Sequence, residues 1–313
     1  MTRLSRELGG PALWVKRDDC TGLATGGNKT RKPEFLIAEA LEQGADMVIT
    51  QGAVQSNHVR QTAAAACRHG LDCHALLERR VAEPGPAYDT SANVFLDHLF
   101  GTTLEYRPPG LDMNAETQLV AQRLRADGRR PYFIPGGGSN ATGALGYVSC
   151  AQELVRQSDS MGSGSTGWSW RPAAPGPRQG WWPVSKHSNR LSRSWASAFA
   201  NPRRRRSPRC TGWSMPRPND SARRRSLSGR SSSMTAMSAL ATACRPTVRS
   251  RRSASAARTE GLLLDPVYSG KGFAGLLGLV RQGFFRPTDN VVFLHTGGAV
   301  ALFAYEQYFT SDH

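Results

Sequence analysis

At 313 residues the chain is long enough for two domains with a sizeable core, no apolar run approaches the roughly 20 residues of a membrane-spanning helix, and the start lacks a signal-peptide pattern, so a cytoplasmic protein is expected. The six cysteines, Cys20, Cys67, Cys73, Cys150, Cys210 and Cys244, form no Cys-x-x-Cys pair and no metal spacing with the seven histidines, which favours reduced structural thiols over a metal centre. The net charge of +16 points to nucleic acid only until it is located: 18 arginines and Lys186 stand against one acid, Asp220, between Met161 and Ser255, and the rest of the chain is nearly neutral.

The first half alternates strands and helices. Residues 13–16 read as a strand, and Gly26-Gly27 forces a turn. From residue 30 an amphipathic helix follows, with Phe35, Leu36, Ala38 and Leu41. Strands are expected at 46–50, 71–77, 103–106 and 131–135, and helices at 57–69, 90–100, 113–126 and 141–157, the last after a Gly136-Gly137-Gly138-Ser139-Asn140 loop. Further on, 272–281 reads as an amphipathic helix, and 291–294 as a last strand ending in a His295-Thr296-Gly297-Gly298 loop. Such alternation predicts a doubly wound α/β protein with a mostly parallel sheet, whose ligand lies at the carboxyl ends of the strands.

The stretch Thr25-Gly26-Gly27-Asn28-Lys29-Thr30-Arg31-Lys32 delivers a lysine to a strand-loop-helix junction. Desolvated there, near Arg31 and Lys32, the Lys29 amine would have a lowered pKa and could form a Schiff base with a carbonyl. Two other readings compete: a surface lysine in a turn, and a phosphate loop, whose glycine spacing Gly22 to Gly27 satisfies but whose lysine is displaced by Asn28.

Lys16-Arg17-Asp18-Asp19, the Gly26 to Lys32 loop and Gln55-Ser56-Asn57-His58-Val59-Arg60-Gln61 together resemble the pyridoxal-phosphate enzymes of the tryptophan-synthase-β-like fold. Within them the chain is similar to the group of D-cysteine desulfhydrase, L-cysteate sulfo-lyase and 1-aminocyclopropane-1-carboxylate deaminase. The resemblance covers residues 10–157 and 256–308, the second part through Ala257-Arg-Thr-Glu-Gly-Leu-Leu-Leu-Asp-Pro-Val-Tyr-Ser-Gly-Lys271 and Val291 to Tyr305. The family has further residues ahead of its first strand, including a threonine-proline entry, so a start upstream of Met1 is expected.

The resemblance implies roles. Lys29 would hold pyridoxal 5'-phosphate and move a proton at the substrate α-carbon. Asn57 matches the position that hydrogen-bonds the ring hydroxyl, and Gln55 and Ser56 match positions around the substrate carboxylate. Ser56 or Asn57 would equally serve as a helix N-cap. Gly162-Ser163-Gly164-Ser165-Thr166-Gly167 resembles the phosphate cradle, although Trp168-Ser-Trp-Arg-Pro172 replaces the helix that should follow and a strand ahead of it is missing. Read alone, the string is a flexible linker. Tyr268 matches an acid-base tyrosine near the leaving group, or is simply a packed core tyrosine. Thr296 would face the pyridine nitrogen. The deaminase branch has a carboxylate where Ser269 stands and an apolar residue where Thr296 stands, so these neutral hydroxyls favour β-elimination over ring opening.

Residues 161–255 contain no Ile and no Tyr but six of the seven tryptophans, Trp168, Trp170, Trp181, Trp182, Trp195 and Trp213, among Arg, Ser and Pro without period. One reading is a disordered basic arm that binds RNA or another polyanion. The other is a GC-rich gene translated out of phase: Met234 to Ser238, read from the third base of the methionine codon, can spell Asp-Gly-Tyr-Val, which resembles the family's Asp-x-Tyr-Val/Phe segment.

The expectation is therefore a fold type II, tryptophan-synthase-β-like α/β protein with two doubly wound parallel-sheet domains. Residues 1–45, 145–160 and 256–313 would form a large cofactor domain that is incomplete, disrupted by the Arg/Ser/Pro-rich segment 161–255, and 46–144 a smaller α/β domain. The expected activity is carbon-sulfur β-elimination. L-cysteate (giving pyruvate, ammonia and sulfite) is preferred over D-cysteine (giving sulfide), on resemblance in Gly110-Leu-Asp-Met-Asn-Ala-Glu116, Cys73-His-Ala-Leu-Leu-Glu78 and Gly136 to Asn140. The alternatives are the deaminase activity, an inactive remnant and a basic polyanion-binding protein. The family suggests a homodimer.

Overall fold

The computed structural model describes residues 1–161, 167–169 and 246–310. Seven strands run through them: β1 (Ala12–Arg17), β2 (Met47–Ala53), β3 (Asp72–Glu78), β4 (Thr103–Arg107), β5 (Pro131–Phe133), β6 (Gly167–Ser169) and β7 (Asn290–His295). The helices are α1 (Thr2–Leu8), α2 (Pro33–Glu42), α3 (Asn57–Arg68), α4 (Ala92–Leu99), α5 (Met113–Ala126), α6 (Ala141–Ser160), α7 (Pro246–Glu260), α8 (Ser269–Arg281) and α9 (Gln307–Thr310). The expected elements are present with shifts of one to three residues at most ends, where caps decide the boundary. Asp112 accepts from the N–H groups of Asn114 and Ala115 to start α5, and Asn140 accepts from Gly143 to start α6.

Two parallel sheets form, one in the order β4-β3-β2-β5 and one in the order β1-β7-β6. In β2 the run Met47, Val48, Ile49 and Thr50 is buried throughout, as a strand covered on both faces requires. Leu13, Leu262, Leu264, Phe273, Leu276, Val291 and Phe293 make the core beside the β1-β7 pair, each contributing about 1.5–3 kcal/mol on burial. The two sheets meet through the carboxyl-terminal part of the chain, where Ala301, Ala304 and Tyr305 pack with Val54, Val59, Ala75, Leu77 and Tyr88.

Two features differ from the sequence reading. Helix α7 begins at Pro246, ahead of Ala256 where the family pattern resumes, because Ser253 and Ala256 are buried and Glu260 accepts from the Leu4 N–H at 2.6 Å. And Gly167 opens strand β6, parallel to β7 with Gly167 opposite Val291, so a strand follows the Gly-Ser string where the family has a helix. The expectations for residues 170–245 lie outside the described residues.

The strand order places the site. From β2 the chain moves outward through β3 and β4 and then returns to β5 on the other side of β2. The loops leaving the carboxyl ends of β2 and β5 therefore diverge, opening the crevice in which α/β sheets bind ligands.

Candidate active site

Lys29 reaches that crevice from the other sheet. It follows a short 3₁₀ turn (Leu23–Thr25) and precedes α2, and a β-carbon on Gly137, in the loop after β5, would stand only 3.3 Å from its Nζ. The loop is held on every side. Gly27 N–H donates to Asp18 O and to Thr21 Oγ1, Asn28 N–H donates to Thr296 O at 3.0 Å, and Thr30 donates both its N–H and its hydroxyl to Gln61 Oε1. The Asn28 side chain donates to the Tyr147 hydroxyl. Behind the loop, Arg31 makes a paired contact with the buried Asp18 carboxylate and also meets Glu153.

Burial, and then the neighbouring charge of Lys32, lower the Lys29 amine to about 7. Lys32, lowered by burial to about 8, donates to Gly137 O at 2.7 Å. His58 lies beneath the same pair. Thr50 gives its only hydroxyl proton to Ile134 O, so His58 Nε2 is the donor to Thr50 Oγ1 at 2.9 Å. Burial first, then Lys29 and Lys32, hold its pKa well below the ordinary value.

The loop after β7 completes the floor. Parallel pairing sets His295 opposite Arg17, so Thr296 follows directly beside Asp18 and Asp19. The Gly297 N–H donates to His295 Nδ1 at 3.2 Å, which leaves the proton on Nε2, 3.7 Å from Asp19 Oδ2. Gly297 has φ +88° and packs against Gly27 so closely that a β-carbon would lie 2.7 Å from the Gly27 Cα. A β-carbon on Gly298 would lie 3.1 Å from Asn57 Nδ2 and 2.6 Å from Asp265 Oδ2. Lys29, Thr296 and Asn57 are thus brought together by the close approach of the two loops and α3.

The remaining expected residues divide. Ser56 is the N-cap of α3, its Oγ accepting from Val59 N–H at 3.2 Å. Gln55 is a correction: both donors of its amide go to the carbonyls of Tyr88 and Ser91 and its Oε1 accepts from Asn93 N–H, so the side chain pins the 88–93 segment and is committed away from a substrate carboxylate. Tyr268 is 40% exposed, and its backbone N–H donates to Asp265 Oδ1 at 2.7 Å. Ser269 donates its hydroxyl to Asp265 Oδ2 and accepts from Asp265 N–H, so it serves the start of α8. Gly164, Ser165 and Thr166 lie outside the described residues. Gly167 enters β6, and the phosphate dipole expected from a helix starting there is replaced by strand. Arg60, Gln61, Asp265 and His295 all stand inside the motifs quoted above, but no pattern showed which of them turn toward the loop.

A ring-bearing aldehyde fits what is present. The donor set is an amine poised near neutrality and an amide N–H₂, beside loops whose close approach only glycines allow. Two parallel sheets with a buried lysine over the switch point make this a fold type II α/β enzyme. The chain belongs to the pyridoxal-phosphate dependent enzymes, whose family model matches residues 1–168. Curated D-cysteine desulfhydrases of Salmonella typhi and Salmonella newport (strain SL254) are each 39% identical to it, over 97% of this chain and 92% of their own. A solved ACC deaminase homologue superposes with a TM-score of 0.66 at 26% identity, covering 99% of this chain and 91% of its own. The apo diaminopropionate ammonia lyase of Escherichia coli shares the fold with a TM-score of 0.56 at 12% identity, over 97% of this chain and 84% of that one. The cofactor is therefore pyridoxal phosphate and the protein a lyase by family. No described helix is long and apolar enough to cross a membrane.

The two buried histidines make a testable statement about pH. For His295, as for His58, burial is the first cause of a lowered pKa, with Asp19 opposing it. The unfolded chain then binds more protons than the folded one below about pH 6.5, so stability is full above that value and lost as pH falls toward the folded pKa values, by at most ~1.4 kcal/mol per pH unit per group. Urea midpoints should drop between pH 7 and pH 5, and His295→Asn should flatten the slope. An unchanged slope would place the proton-sensitive group elsewhere.

Proposed function

We propose that the chain catalyses β-elimination from a cysteine-like amino acid, with D-cysteine as substrate and pyruvate, ammonia and sulfide as products. The observation that carries the chemistry is the buried Lys29 amine, poised near pH 7 over the crevice between β2 and β5. The choice of substrate rests on the relatives: 39% identity to D-cysteine desulfhydrases over nearly the whole chain outweighs the short stretches that favoured L-cysteate.

When bound, pyridoxal phosphate supplies a conjugated ring that takes up the electron pair left at the substrate α-carbon. Lys29 would hold the group and would take the α-proton of the substrate, for which an amine half unprotonated at neutral pH is suited. Asn57 Nδ2 would hold the ring hydroxyl, and the neutral hydroxyl of Thr296 would serve the ring nitrogen. Ser56 sits at the amino end of α3, where helix N–H groups favour a carboxylate. Tyr268, presented at the start of α8 by Asp265, gives a proton to the departing sulfur. Gly164, Ser165, Thr166 and Gly167 are proposed for the phosphate, by resemblance. A homodimer is proposed on the same ground.

Full-length protein supplied with cofactor should release sulfide from D-cysteine, with little sulfite from L-cysteate and little ammonia from 1-aminocyclopropane-1-carboxylate. Sulfite as the main product would return the assignment to L-cysteate, and ammonia from the cyclopropane would move it to the deaminase branch. Uptake of no cofactor would leave the remnant or polyanion-binding readings, the latter separable by salt-dependent RNA binding.

A further inference from the structure

We propose that Arg60 is a positioning residue that sets both the loop carrying Lys29 and the orientation of the Asn57 amide, an inference resting on the cofactor-binding role given above to these two residues. Arg60 is wholly buried in α3. One guanidinium nitrogen donates to Asn57 Oδ1 at 3.1 Å and to Asn93 Oδ1 at 2.8 Å, and the other donates to the Gly26 carbonyl at 2.8 Å. Gln61, the next residue, accepts from Thr30, so consecutive side chains of one helix hold the loop on either side of Lys29.

The guanidinium also decides which end of the Asn57 amide is presented. Arginine has donors only, so the atom facing it must be the amide oxygen. Nδ2 is left for the His295–Gly298 turn, 3.1 Å from where a β-carbon on Gly298 would stand. An N–H₂ group there stabilises an ionised ring oxygen, whereas the flipped amide would set one oxygen against another. Asp97 on α4 is the acidic group whose field acts on Arg60. Its carboxylate is fully buried, and neither its oxygens nor Arg60 Nε has a hydrogen-bond partner among the described residues. Burial lowers the guanidinium to about 10 and raises Asp97 well above the usual carboxylate range, each partly countered by the other. A lysine could keep this charge, but its single ammonium cannot span three acceptors fixed by the planar fork.

Arg60→Lys, which spares the buried charge, is the test, with Asn57→Ala and the double variant beside it in the full chain. In protein without cofactor, amide exchange across residues 26–30 should rise about tenfold in Arg60→Lys while β3 is unchanged. With cofactor, the pH midpoint of the visible absorbance should move up by about one unit in Arg60→Lys and in Asn57→Ala, because the ring oxygen then holds its proton more tightly, and the double variant should add little. Wild-type exchange at 26–30, or a midpoint shift additive with that of Asn57→Ala, would overturn the proposal. If the wild-type chain takes up no cofactor, the functional assignment falls, and the exchange comparison alone decides whether Arg60 sets the loop.

Discussion

Lys29→Ala is expected to end covalent cofactor attachment and to reduce turnover by at least the roughly 10²–10⁴-fold that a positioned proton-transfer group supplies. No neighbouring amine substitutes for it. Lys32 is the cation whose charge acts on Lys29, but its Nζ donates to Gly137 O, and a move into the crevice would leave that carbonyl without this donor. Borohydride reduction followed by mass spectrometry reads the result directly: the wild-type chain keeps the added mass on the peptide containing residue 29, and the variant keeps none. Attachment to the wild-type protein should quicken as pH rises through about 7, since only the unprotonated amine attacks an aldehyde. Retention of the label by Lys29→Ala on the Lys32 side chain would transfer the role to Lys32.

The second large effect is expected at a residue that carries no side chain. Gly297→Ala places a β-carbon 2.7 Å from the Gly27 Cα in a residue at φ +88°, so two backbones must part. The left-handed conformation costs about 1–2 kcal/mol for a residue with a β-carbon, and the Asn28-to-Thr296 hydrogen bond, worth about 0.5–1.5 kcal/mol, is lost as the loops separate. A destabilisation of ~2–4 kcal/mol should come with a large loss of cofactor affinity, because Lys29 rides on the displaced loop. Gly275→Ala is the control. It lies inside α8, where a β-carbon meets nothing within 4 Å among the described residues, so it should be neutral or stabilising by up to ~1 kcal/mol. Denaturation midpoints and cofactor titration for both variants settle the point: equal behaviour would mean that the contact between the two loops is not required.

These expectations show what could be read before the fold was known. Lys29 was legible because a glycine turn between a strand and an amphipathic helix is a local pattern, as are the alternating elements around it. Ser56 was legible with its two roles left open, and the geometry gives it the cap. The Gln55 side chain was misplaced because its sequence neighbours do not reveal the 88–93 segment, brought against it by the packing of α3 on α4. The Gly-Ser string resembles a phosphate cradle and read alone is a linker; neither reading reveals that Gly167 enters a strand, which it does because the edge of β7 offers it backbone partners.

The sequence by itself determined the order of strands and helices, the lysine at their junction and the family, because each depends on residues close together along the chain. The tertiary structure alone decided that the loop after β7 closes on the Lys29 loop, that Arg60 and Gln61 grip that loop from α3, and that Lys29 meets the β5 loop over the switch point. Those contacts join residues 30 to 270 positions apart. They exist only because parallel pairing of β1 with β7, and the divergence of the chain at β2, bring loops together whose side chains carry no mark of one another.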